Sequence, residues 1–216
     1  MNLSAIQNRI LTSLILFILL ILMFQSLFIS TYFLIIFGIL SIIEFIKISK
    51  KIFEKKILKI FINIFFIIYI TAFCCFFYFL SYNFFSKIIL FTLILGCVAS
   101  DIGGYLFGKF FKGRKLTKIS PNKTYSGAIG SVILANISIC ILYFLYTNSA
   151  SYLILIVSTI TSFGCQIGDL FFSYLKRKAK IKDTGSILPG HGGVLDRLDG
   201  ILLGVPAGYI LLILII

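Results

Sequence analysis

Long apolar stretches alternate with short basic ones along almost the whole chain. The apolar stretches are Ile10 to Ile29, Tyr32 to Ile46, Ile60 to Leu80, Ile88 to Phe107, Gly127 to Tyr146, Ser151 to Tyr174 and Gly200 to Ile216. Most approach the ~20 residues a helix needs to cross a hydrocarbon core, where each backbone N–H and C=O must be satisfied within the segment. They predict an all-α, multi-pass integral membrane protein of about seven transmembrane helices, organised as one membrane-embedded domain over residues 1–216. So few residues separate the first two stretches that a tight hairpin is expected there, its shorter second arm tilted or interfacial. The polar start, Asn2 to Arg9, leads into an apolar run too long for a signal peptide, and no small-residue cleavage site follows Ser30. The first span is therefore expected to be a retained anchor.

Composition narrows the class further. A mean hydropathy of +1.10, with 24 Phe and no Trp, excludes a soluble globular domain. A net charge of +13 would suit a nucleic-acid binder, but the cations sit in short loops beside apolar spans. The bias of Lys and Arg toward cytoplasmic loops explains them more simply, and no nucleic-acid partner is expected. When seven spans are threaded in order, every Lys and Arg except Lys87 falls on one side. That side is then the cytoplasm, with the N-terminus inside and the C-terminus outside; the protein is expected in the cell's inner membrane. Between Lys47 and Lys59, lysines interleave with Ile48, Ile52, Phe53, Ile57 and Leu58, as in an amphipathic segment lying on the membrane surface. It could attract anionic lipid, or it could only set topology, and the second reading is the simpler. The five cysteines all lie in apolar stretches without metal-ligand spacing, so neither a metal nor a redox role is expected of them.

Polar chemistry concentrates between Ser173 and Gly200, which holds Asp183, Asp196, Asp199 and the single histidine, His191. Asp196 and Asp199 are three apart at the start of an apolar helix, so both carboxylates project from one side of it. Such oxygen ligands suit Mg²⁺, which one or two carboxylates commonly hold while substrate phosphates and waters complete the octahedron. Pro189-Gly190-His191-Gly192-Gly193 is a turn able to aim backbone N–H groups at an anion. Lys176, Arg177, Lys182 and Arg197 add donors for phosphate oxygens. Together these groups point to phosphoryl or nucleotidyl transfer. Two carboxylates lie earlier, Asp101 within the fourth apolar stretch and Asp169 near the end of the sixth. A carboxylate inside a membrane is costly enough to be a functional candidate. Ser120-Pro-Asn-Lys123-Thr124 directly precedes the fifth span, where free backbone donors and the helix dipole favour an anion. It lacks the glycine framework of a Walker A loop.

The order Ser173, Lys176-Arg177, Lys182-Asp183, Gly185, Pro189, His191-Gly192-Gly193, Asp196-Arg197 and Asp199 resembles, without departure, the signature of the phosphatidate cytidylyltransferases, or CDP-diacylglycerol synthases. Asp101-Ile-Gly-Gly-Tyr with Gly108-Lys109, and Ser120 to Gly127, also look like that family. The resemblance covers roughly residues 96–208, expected to be the catalytic core, with residues 1–95 forming variable N-terminal spans. It implies transfer of a cytidylyl group from CTP to phosphatidate, with Mg²⁺ as cofactor and a second, monovalent cation left open. It further implies metal binding by Asp169, Asp196 and Asp199, and contacts to phosphates by Lys123, Lys176, Arg177 and Arg197. Ser120, Thr124, Lys182, Asp183, His191, Gly192, Gly193 and Asp101 are carried as substrate-binding candidates. His191 either meets a phosphate or holds the turn, and Asp101 either joins the metal site or pairs with a cation. Implied partners are CTP, phosphatidate and membrane lipids, and a homodimer is left open.

Two rival readings fit the residues less well. An enzyme joining a CDP-activated lipid to an alcohol would need Asp-Gly followed by Ala-Arg and further aspartates, but Ile201-Leu202-Leu203 follows Asp199-Gly200. A cation-coupled transporter also carries intramembrane aspartates, yet no inverted repeat is visible here.

Overall fold

The structure is a computed structural model that describes residues 3–117, 120, 123–188, 190 and 192–215. Seven helices follow one another: α1 (Leu3–Gln25), α2 (Leu27–Ile52), α3 (Lys56–Tyr82), α4 (Phe84–Phe111), α5 (Tyr125–Thr147), α6 (Tyr152–Lys178) and α7 (Leu195–Ile215). There is no strand among the described residues, which hold two isolated antiparallel bridges, Lys115 with Thr124 and Leu188 with Gly192. α2 to α7 are long and apolar enough to cross a membrane, whereas the apolar part of α1, Ile10–Gln25, is shorter. The chain is a multi-pass integral membrane protein, as the apolar pattern predicts.

Helix limits follow local hydrogen bonding. The break between α1 and α2 falls at Ser26, upstream of the hairpin expected near Ser30 and Thr31. Ser26 takes an extended backbone and its side chain accepts the Ile29 N–H at 3.4 Å, which caps α2. Thr31 turns its hydroxyl onto the Leu27 carbonyl at 2.8 Å and so stays inside the helix. α2 then runs through Lys47 to Ile52, its last turn carrying Lys50 and Lys51, where cations complement the helix dipole. The expected surface segment Lys47 to Lys59 is therefore split between the end of α2 and the start of α3. At the other end of the chain α6 stops in a Schellman turn. Lys180 sits at φ +55, and the N–H groups of Lys180 and Ile181 reach the Arg177 and Lys176 carbonyls at 3.0 Å each.

The helices group into two compact units. The first comprises the chain as far as Lys87 together with Leu175–Leu198. Within it Phe45 of α2 stacks on Phe66 of α3 with centroids 3.7 Å apart, and Ser49 Oγ donates to Asn63 Oδ1 at 2.6 Å. The second comprises Ile88–Tyr174 and Asp199–Ile216. It is built on two seams of small residues. A Cβ at Gly127 of α5 would stand 2.7 Å from the Gly104 carbonyl oxygen of α4, and one at Gly164 of α6 would stand 2.9 Å from Gly204 Cα of α7. In lipid, where no hydrophobic force draws helices together, such close backbone approach supplies the packing. The second seam carries the site: Gly168, just before Asp169, lies against the backbone of Asp199 and Gly200.

Candidate functional site

In the second unit, Asp169 is met by Lys123, with Nζ 2.5 Å from Oδ2. One turn further along α6, Ser173 Oγ donates to Asp169 Oδ1 at 3.3 Å. Backbone hydrogen bonds among the described residues before α5 hold Lys123 in place. The Leu116 N–H reaches the Lys123 carbonyl at 2.7 Å, the Tyr125 N–H reaches the Arg114 carbonyl at 3.1 Å, and the Lys123 N–H reaches Ser120 O at 3.0 Å. Thr124 Oγ1 accepts the Gly127 N–H at 3.1 Å and so acts as the N-cap of α5. The Lys123 and Asp169 side chains are 25% and 33% exposed, so this pair remains open to exchange. Asp199 is buried, and its Oδ1 accepts the Gly200 N–H at 2.9 Å. Asp101, on α4, takes a contact from the Cys165 thiol at 3.6 Å.

In the first unit, Asp196 organises the loop between α6 and α7. Lys176 Nζ donates to Asp196 Oδ1 at 2.7 Å, while Oδ2 accepts the N–H groups of Thr184 at 2.8 Å and Gly193 at 3.0 Å. These two side chains are only 13% and 5% exposed. The loop tip closes through paired hydrogen bonds between Leu188 and Gly192, 2.9 and 3.1 Å, with Gly190 at φ +75 and Gly192 at φ +84. Glycine is the residue that tolerates those angles. A Cβ at Gly192 would also come within 2.8 Å of Asp196 Oδ2.

The glycine turn differs from its sequence reading in what its N–H groups meet. Gly192 N–H goes to the Leu188 carbonyl, Gly193 N–H to Asp196, and the next two, Val194 and Leu195, to Glu44 of α2 at 3.0 and 2.9 Å. These donors hold the chain to itself. Glu44 was missed in the sequence. It is 1% exposed, and its signal was available as a single acidic residue within an apolar span. Arg177, Lys182, Asp183 and Arg197 lie exposed, and His191 falls outside the described residues.

Among the described residues, no three His, Cys, Asp or Glu side chains gather as a metal cage. Mg²⁺ does not require one, since one or two carboxylates with substrate phosphates suffice. The donor chemistry fits: Asp169 Oδ2 presents a hard oxygen whose present partner is a partly exposed lysine that can turn to a phosphate, and Asp196 Oδ1 presents another within the first unit.

Residues 3–215 match the cytidylyltransferase family. The chain is similar to the phosphatidate cytidylyltransferase of Helicobacter pylori, 40% identical over 131 residues, covering 61% of this chain and 49% of that one. It is 46% identical over 115 residues to the phosphatidate cytidylyltransferase of Rickettsia felis, covering 50% and 51%. With the enzyme of the same name from Bacillus subtilis it shares 40% over 146 residues, covering 65% and 54%. The chain spans about half the length of the curated relatives it matches.

Proposed function

This chain belongs to the cytidylyltransferase family, and from that membership we propose that it transfers the cytidylyl group of CTP to phosphatidate, giving CDP-diacylglycerol and pyrophosphate in phospholipid synthesis. One observation carries the reading. Two lysine–aspartate contacts, Lys123 with Asp169 and Lys176 with Asp196, each join parts of the chain far apart in sequence. Each brings a cation against a carboxylate, an arrangement that supports binding of a polyphosphate with a divalent ion.

In this reading a phosphate oxygen of phosphatidate forms a bond to the α-phosphorus of CTP. The bond from that phosphorus to the bridging oxygen breaks, and pyrophosphate leaves with the electron pair. A phosphomonoester is already largely ionised at neutral pH, with a second pKa of about 6, so the step needs no strong general base. That agrees with a chain holding a single histidine. Catalysis then rests on positioning and on neutralising charge. Lys123 turns from Asp169 to a phosphate oxygen, Lys176 keeps Asp196 and offers its remaining donors, and exposed Arg177, Lys182 and Arg197 add donors along the anion. By the family resemblance, the carboxylates that would hold Mg²⁺ are drawn from Asp169, Asp196 and Asp199, one or two of them with substrate phosphates and waters, and the ion would neutralise the triphosphate. Ser173 keeps Asp169 in orientation.

The bias of Lys and Arg to one set of loops supports a cytoplasmic face of the inner membrane for this chemistry. A tag at the C-terminus should react only from outside the cell; reaction only from the cytoplasm would overturn the orientation. The reaction itself is tested with labelled CTP. Label at the α-phosphate should enter a lipid-soluble product, and label at the γ-phosphate should appear wholly in pyrophosphate. Release of α-label as free CMP would contradict transfer to the lipid.

A further inference from the structure

The strongest group outside the assigned residues is Glu44. It lies on the buried face of α2 with Ser41, Phe45, Ile48 and Ser49, in the stretch before the signature resemblance begins. The ring stack of Phe45 on Phe66 and the Ser49–Asn63 hydrogen bond hold that face against α3. Glu44 Oε1 accepts the Val194 N–H at 3.0 Å, and Oε2 accepts the Leu195 N–H at 2.9 Å and the Thr184 hydroxyl at 2.6 Å.

α7 begins at Leu195, and the Val194 carbonyl already accepts the Arg197 and Leu198 N–H groups at 3.0 and 3.2 Å. Val194 therefore stands where a capping residue is expected, and its side chain has no oxygen with which to cap. Glu44, 150 residues away in sequence, supplies the acceptor instead. The helix dipole and three donors in turn compensate a carboxylate taken out of water. The fit is close on both sides. A Cβ at Gly185 would lie 2.6 Å from Glu44 Oε1, and one at Gly193 would lie 2.7 Å from Glu44 Cδ.

Thr184 links this carboxylate to the next. Its hydroxyl lies 2.6 Å from Glu44 Oε2 and 3.1 Å from Asp196 Oδ2, and its N–H donates to Asp196 Oδ2 at 2.8 Å. A hydroxyl has one proton to give, so the shorter contact assigns it to Glu44 while the backbone N–H holds Asp196. We propose that Glu44 is a positioning residue for nucleotidyl transfer, acting through Thr184 and the α7 N-terminus to fix Asp196 and, with it, Lys176. This rests on the cytidylyltransferase reading for its effect on turnover, and on the hydrogen bonds alone for its effect on the loop.

The test uses the whole protein in detergent with CTP, phosphatidate and Mg²⁺, and pairs kinetics with backbone hydrogen exchange over Thr184 to Leu198. In Glu44→Ala, exchange there should rise by about tenfold, as buried donors lose their acceptor and the loop opens locally. kcat should fall by about a hundredfold, the cost of a displacement near 1 Å at a reacting group, with KM for CTP changed by less than about threefold. Glu44→Gln keeps the volume and one acceptor, and should recover part of both losses. Thr184→Val, which leaves the Val194 and Leu195 contacts in place, should lower kcat with little change in exchange at α7. Glu54→Gln, at an exposed position, serves as the control.

Equal kcat in Glu44→Ala and the control would overturn the proposal. So would faster exchange with full kcat, which would make Glu44 only a structural cap. If Glu44→Ala does not fold, Glu44→Gln and Thr184→Val decide, and wild-type kcat in both would overturn it. Absence of CDP-diacylglycerol from the wild-type protein would sink the reading of function instead; the clamp is then judged on exchange, where unchanged protection in Glu44→Gln and Glu44→Ala would contradict it.

Discussion

The two lysine–aspartate pairs look alike in sequence but differ in how they are held. Lys123–Asp169 is partly solvated, and beyond the lysine Asp169 takes one hydroxyl contact from its own helix. Lys176–Asp196 is almost enclosed, and Asp196 also accepts two backbone N–H groups of the loop it organises. The first can part at small cost, because ion pairs in contact with water contribute little. The second is built into the loop, because a carboxylate left buried without its partner is expensive. The difference separates a pair suited to exchange with an arriving anion from one that sets the shape of the loop.

The widest gap between the pairs should appear when Asp196 is made neutral. Asp196→Asn should reduce turnover by about a thousandfold, since it removes charge from the site and replaces one loop acceptor by a donor. Membrane insertion should persist, as judged by extraction and by thermal unfolding in detergent. Near-normal turnover in both Asp196→Asn and Asp199→Asn would remove the metal assignment. Next in size is the pair of lysine deletions. Lys176→Met should lower stability by about 3 kcal/mol, and Lys123→Met by less than about 1 kcal/mol. Equal shifts in unfolding midpoint would erase the distinction between the pairs. For Lys123→Met the larger effect should be on turnover, a loss of about tenfold or more, as expected for one phosphate contact.

Gly193→Ala extends the same comparison to the backbone. Its Cβ would meet the Glu44 carboxylate, and crowding of this kind costs about 1–3 kcal/mol. The smallest effect should come from salt. Raising ionic strength from about 0.05 to about 0.5 M shortens the screening length severalfold, so the activity lost with Lys123 intact should be modest and should be smaller in Lys123→Met, where exposed Arg177, Lys182 and Arg197 keep the remainder.

Much of this was legible in the chain. Apolar runs located the membrane helices because crossing lipid demands long uninterrupted segments, and charge rarity drew attention to Asp169 and Asp196, which pair with Lys123 and Lys176. The helix break at Ser26 was not legible. Serine and threonine can cap a helix or bond back within it, and neighbouring residues alone do not decide which. The roles of the turn glycines were legible as a need for close approach, but not what approaches. That turned on Glu44, whose contacts span 140 residues or more, and no local periodicity reports a partner so distant. The second seam, Gly164 and Gly168 against Asp199 to Gly204, was hidden for the same reason.

Pyrophosphate release by the detergent-purified protein, given CTP, phosphatidate and Mg²⁺ with each omitted in turn, tests the central claim most directly. Release that requires all three, with one CDP-diacylglycerol formed for each pyrophosphate, is the expected result. Pyrophosphate released without phosphatidate, or no release from folded protein supplied with lipid, would contradict it.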